Sequence, residues 1–152
     1  MSFPFSFPID VRHLLLENVT EQLLEMWDGS YKAGTMLGDS NARHSEPYVI
    51  SKAALEELDV IIASSRKLIP SRMSGTLTAI SNRWRWTVDT HLFFLVSLGP
   101  IILKPYLPRL YFDHFLDLSE VTKRLIALSI DVDEHLPLIE DGLRRWVAQF
   151  DS

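Results

Sequence analysis

The chain contains no cysteine, so disulfides and thiolate metal sites are excluded and a reducing compartment suits it. Long apolar runs are missing too. The longest, LFFLVSLGPIIL at residues 92–103, has 12 residues and includes a Gly-Pro pair, whereas a bilayer span takes about 20. It reads as a core element, and no membrane partner is expected. The N-terminus repeats Phe-Pro but has neither a basic n-region nor a small-residue cleavage site, so no signal peptide is expected and the chain is placed in the nucleus or cytoplasm. Acidic residues are absent from residues 61–88, which carry Arg66, Lys67, Arg72, Arg83 and Arg85. That segment is +5, against −6 for residues 1–60 and −4 for residues 89–152. A net charge of −5 argues against a protein that coats nucleic acid with its whole surface.

What is present is an ordinary globular composition: 47% hydrophobic and 23% charged residues over 152 positions. This fits a single domain spanning residues 1–152. A first helix is expected from about residue 8 or 10 to Trp27, ended by Asp-Gly-Ser. At 100° per residue, Val11, Leu15, Leu16, Val19, Leu23, Met26 and Trp27 share one side, and Asp10, His13, Glu17 and Glu21 the other. Residues 28–50 read as a loop. Ser51 is placed as the N-cap of a second helix reaching about Leu68, before Pro70, and residues 70–84 form a second, basic loop. Thr87 caps a third helix to about Leu98, which Gly99-Pro100 should break or kink. Pro108 introduces a fourth, over residues 109–129. Asp131 and Glu134 resemble a capping box for a fifth that reaches Phe150, with Pro137 kinking it or marking its first turn. No segment alternates with period two and no repeat appears. The expected fold is all-α, an irregular bundle of about five helices. The last helix runs almost to the end of the chain and the first begins close to Met1, which reads as an excerpt from something longer.

Chemistry has few carriers. Asp10, His13 and Glu17 form a polar stripe at i, i+3 and i+7, compatible with a metal site or an acid–base pair; a solvated face with acids near the positive helix end is the favoured reading. Asp89, at the start of the third helix, suits a catalytic carboxylate or, more plainly, a helix-N-terminal acid. His114 in YFDHF is expected to be a packed, hydrogen-bonded histidine. His44, His91 and His135 fall in no metal-ligand spacing, and H-E-x-x-H, P-loop, G-x-G-x-x-G and G-x-S-x-G strings are absent. RWRW, Arg83–Trp84–Arg85–Trp86, interleaves guanidinium and indole groups, a pairing suited to phosphate contact and base stacking; the alternative is a loop anchored by its tryptophans with the arginines in water.

Seven strings, in order, carry a resemblance: FPIDVRHLLLENV, MWDGSYK, YVISKAALEEL, IPSRMSG, WTVDTHLFFLVSLGPIILKPYLP, YFDHFLDL and IEDGLRRWVAQF. Together the chain resembles the C-terminal part of transposases of fungal CACTA-superfamily DNA transposons, the Plavaka group of mushrooms in particular. Such transposases have a D-x-x-H signature between the second and third acids of a DDE site on an RNase-H-like fold. Asp10-Val11-Arg12-His13 matches it, although the family often has Met where Arg12 stands. The resemblance places Asp89 over the third acid, usually Glu and so one methylene longer. A full-length relative would use two Mg²⁺ ions about 3.5–4 Å apart to activate water or a 3′-OH against a phosphodiester. The further carboxylates would come from strands that this sequence does not offer. The expectation is therefore a transposon-derived helical piece with no enzyme activity and no metal or cofactor of its own as an isolated chain. DNA contact is expected through Arg66, Lys67, Arg72, Arg83, Trp84, Arg85 and Trp86, and self-association is a further partner class. The alternatives are a helical module that binds protein through an apolar groove, and a free-standing DNA-binding domain using residues 61–88.

Overall fold

The computed structural model describes residues 12–31, 46–69, 77–127 and 132–150. Among them every regular element is helical, and the fold is all-α. Helix α1 combines wide π-type turns over Arg12–Val19 with a regular α segment over Thr20–Trp27. The buried Thr20 hydroxyl donates to the Leu15 carbonyl five residues back, at 2.7 Å, satisfying an acceptor near the point where the turn geometry changes. Gly29, at φ 75°, ends the helix in the left-handed region that glycine enters without steric cost.

Helix α2 spans Lys52–Ser65 and tightens into a 3₁₀ turn at Arg66–Leu68. Ser51 caps it as expected, accepting from the Ala54 N–H at 3.3 Å. The chain then forms a 3₁₀ helix over Ile80–Arg85, where a loop was expected. Helix α3 starts behind the Thr87 cap, which accepts from Thr90 N–H at 3.3 Å. It runs through Val88–Phe93, π-type turns at Phe94–Leu98 and Gly99–Ile102. Gly99-Pro100, where a break or kink was expected, does not break the helix, and the departure from regular α geometry falls in the turns just before it. The wide turns immediately precede Pro100, whose missing N–H and bulky ring are incompatible with regular packing against the preceding turn. Gly99 has a separate role: a Cβ there would lie 2.7 Å from Phe115 Cζ and 2.9 Å from the Phe94 carbonyl.

Helix α4 spans Arg109–Leu125, shorter than expected, and α5 spans Val132–Phe150 with Pro137 inside it. Asp131, the expected cap of α5, lies outside the described residues. These last two helices pack closely at Gly142, where a Cβ would stand 2.5 Å from Val121 Cγ2. The core is built around Phe94, Leu95 and Leu98 of α3 and Phe112, Phe115 and Leu118 of α4. Leu16, Leu24 and Trp27 of α1 and Leu58 and Ile62 of α2 close it. Among the described residues no helix is long and apolar enough to cross a membrane.

Candidate functional site

The RWRW segment is divided by the fold. In a 3₁₀ helix, residues i and i+3 eclipse, so Arg83 and Trp86 turn inward together while Trp84 and Arg85 face solvent. The segment is held to α2 by Asp59, which accepts from the Ile80 N–H at 2.6 Å and the Ser81 hydroxyl at 3.0 Å. Trp86 is buried, donates its indole N–H to the Thr78 carbonyl at 3.1 Å, and packs against His91 and Phe94.

Arg83 is 8% exposed. Its Nε donates to Glu21 Oε1 at 2.8 Å and its Nη1 to Asp28 Oδ2 at 2.6 Å, with the Ile80 carbonyl at 3.2 Å. Glu21 and Asp28 are seven residues apart, two turns along one face of a helix, so one guanidinium fork spans them. Glu21, placed on the polar side of the first helix, is a half-buried partner of Arg83. This corrects an expectation: Arg83 was assigned to phosphate, yet it is buried and its Nε and Nη1 donate to two carboxylates and a carbonyl inside the protein. Trp86 likewise offers no face for a base to stack on.

His91 adjoins this cluster, with Nε2 3.6 Å from Glu21 Oε2. Loss of solvation pushes its imidazole below the ordinary histidine range; the negative charges of Glu21 and Glu17 pull the other way, and burial prevails. The net arrangement is a structural clamp that ties α1, the 3₁₀ helix and the start of α3 together.

The exposed basic residues of the segment are Arg66, Lys67 and Arg85, and Arg85 lies with its guanidinium carbon 5.8 Å from the Trp84 ring centre. Arg72 and Asp10, and the side chain of His13, lie outside the described residues. Asp89 is exposed in the first turn of α3. Among the described residues, no three His, Asp or Glu side chains are grouped to hold a metal ion.

On the opposite side of α1 is a feature that the sequence did not disclose. Leu23, Met26 and Trp27 lie about half a turn around the helix from Glu21 and Asp28. Together with Tyr48, Leu110, Tyr111, His114 and Gln149 they line a cavity of about 330 Å³. Several contacts fix its walls. The Ile50 N–H donates to the Trp27 carbonyl at 2.7 Å, returning the chain to α1 just after Tyr48. Tyr48 meets Tyr111 edge-on at 5.5 Å, and Trp27 meets Phe115 likewise at 5.5 Å. The His114 ring stacks on Trp146 with centroids 4.8 Å apart, and its Nε2 lies 2.9 Å from the Trp146 carbonyl. His114 is thus half-buried and hydrogen-bonded, in the setting expected of it. Leu110, 70% exposed, stands at the rim. A shallower depression of about 170 Å³ continues past Leu23 along Val19, Gln22, Trp146 and Val147.

Comparison with protein families, with characterised proteins and with solved structures returns no match.

Proposed function

We propose that the chain is a non-catalytic helical interaction module, of the kind that the C-terminal helical part of a transposase-like protein would supply, and that it acts inside the cell, in the nucleus or cytoplasm. Its partner-binding element is the aromatic cavity between α1, α4 and the end of α5. One observation carries this reading. The cavity has the size of a small-ligand site, its walls are mainly aromatic and aliphatic, and a large apolar side chain, Leu110, is exposed at its mouth. Such a recess accepts one aromatic side chain of a partner, with the ring edges of Tyr48, Tyr111 and Trp27 around it. DNA contact has weaker support. Burial of Arg83 and Trp86 leaves Arg66, Lys67, Trp84 and Arg85 as its described carriers, and phosphate affinity scales with the number of such contacts.

The test is calorimetric titration with free indole. A ligand this small is expected to bind with a dissociation constant near the millimolar range, about −4 kcal/mol. Leu110→Glu at the rim and Met26→Trp in the wall should each abolish the heat of binding while leaving the helical circular dichroism intact. Heat that is unchanged in both variants would place indole elsewhere and overturn the reading.

A further inference from the structure

The aromatic cavity and the shallower depression of about 170 Å³ adjoin one another. They share Leu23, and Trp146, which lines the second, stacks on the His114 that lines the first. None of the residues lining either is Asp, Glu, Lys or Arg, in a chain that is 23% charged. Two clefts beside α4 differ in this respect. One, against α5, is lined by Asp117, Glu120, Arg124, Asp141 and Arg145. The other, at the start of α4, is lined by Lys104, Arg109 and Asp113. Large apolar side chains stay exposed at both ends of the uncharged pair, Leu110 at 70% and Val147 at 51%. An uncharged apolar strip of this kind is suited to receiving another apolar surface.

The spacing of the two depressions sets the form of what they receive. The α1 residues lining the shallower one are Val19, Gln22 and Leu23, and those lining the cavity are Leu23, Met26 and Trp27. The midpoints of these sets are about four residues apart, or about 6 Å along the helix axis. Residues i and i+4 of a second helix present their side chains at that distance on one face. An extended segment reaches it with i and i+2, but would carry unpaired backbone N–H and C=O groups into an apolar groove. Among the described residues there is no strand whose edge would pair with them. A helix arrives with those groups already paired.

We propose that the cavity and the shallower depression are two subsites of one groove, whose occupant is an amphipathic helix of a partner protein carrying an aromatic and an aliphatic residue four positions apart on an uncharged face. This rests on the cavity being a binding site, as proposed above, and adds the second anchor and the secondary structure of the partner. The aromatic ring enters between Trp27, Tyr48 and Tyr111, and the aliphatic side chain covers Val19, Leu23 and Val147. A charged residue on the inserted face would meet no counter-charge in either lining and would lose its hydration.

Calorimetric titration of the full chain with model helices tests this. The probes are capped Ala/Gln helices of about 16 residues, long enough to hold helical structure, with lysines on the far face. One carries a single Trp. Two carry a Leu four positions before or after the Trp, covering both orientations in the groove. A fourth carries the Leu two positions away, off the shared face. The Trp-only helix should bind about as weakly as indole, and the better of the two i, i+4 helices about tenfold more tightly, the return for partly covering one leucine. The fourth should match the Trp-only helix. Val147→Asp, which changes an exposed residue, should erase the tenfold gain and leave indole binding intact. The proposal is overturned if neither i, i+4 helix binds more tightly than Trp alone, or if the gain survives in Val147→Asp. It is overturned equally if the fourth helix binds best, which would make the occupant extended, or if indole binds and no Trp helix does, which would make it a free small aromatic molecule. Self-association of the chain that the Trp–Leu helix competes away would assign the groove to a second copy, with the same consequence. With indole binding retained, each of these results refutes the partner helix alone; absence of indole binding to the parent removes the cavity reading with it.

Discussion

Replacing Arg83 with alanine leaves Glu21 and Asp28 facing one another without the guanidinium that neutralises them. Their side chains are 30% and 17% exposed, and Arg83 itself 10%. Breaking a buried ion pair by removing one partner typically costs 3–5 kcal/mol. Solvent reaches Glu21, so the lower end applies, about 3 kcal/mol. For a chain of this size that corresponds to a fall in melting temperature of roughly 6–12 °C. Urea unfolding followed by circular dichroism measures it, with Arg85→Ala as the matched control. Arg85 is an exposed arginine two residues away, and its removal should change stability by no more than about 0.5 kcal/mol. Arg83→Lys should recover part of the loss, because an ammonium restores charge but cannot span both carboxylates as a fork. If Arg83→Ala costs no more than Arg85→Ala, the clamp does not hold α1 to the 3₁₀ helix and Arg83 returns to the set of side chains free for phosphate.

Gly142→Ala should destabilise by about 1–2 kcal/mol, because overpacking against Val121 outweighs the roughly 1 kcal/mol gained in helix propensity; Val121→Ala in the same chain should reverse the sign, and additive effects would contradict the contact. His91 is depressed in the folded protein and ordinary, near 6.5, in the unfolded one, so the unfolded state binds more protons below that pH. Stability should therefore fall as pH drops below about 6.5 and level off once the folded-state value is passed. The difference between parent and His91→Phe in urea midpoint isolates this contribution, and a parent that gains relative stability on acidification would contradict it. The isolated chain should neither nick nor join DNA with Mg²⁺ or Mn²⁺; metal-dependent cleavage lost in Asp89→Ala would restore the catalytic reading.

What was legible in the sequence was what short-range chemistry determines. Ser51 and Thr87 cap helices because a β-region hydroxyl residue ahead of an amphipathic run satisfies the first free N–H groups, and Pro108 precedes α4 for the complementary reason that it cannot continue a helix backwards. Tertiary contacts decided the rest. Gly99-Pro100 looks like a break until Phe115 is found pressed against Gly99, rewarding continuation with core packing. Glu21 falls on the polar side by its helical angle and is claimed by an arginine 62 residues away. The inward and outward residues of RWRW follow a three-residue period rather than the alternation suggested by its letters. The cavity was invisible because its walls come from α1, α4, α5 and the segment before α2, and no local pattern joins Leu23 to Tyr48 or Gln149.

The cavity's role as a binding site is tested most directly by fluorine NMR of protein labelled with 5-fluorotryptophan and titrated with indole. Trp27 lines the cavity and Trp146 stacks on its His114, whereas Trp86 is buried behind the Arg83 clamp and Trp84 lies on the surface. At protein concentrations too low for self-association, the Trp27 and Trp146 resonances should move together and saturate, while those of Trp84 and Trp86 stay in place. Movement confined to Trp84, or shifts of all four that grow without saturation, would contradict it.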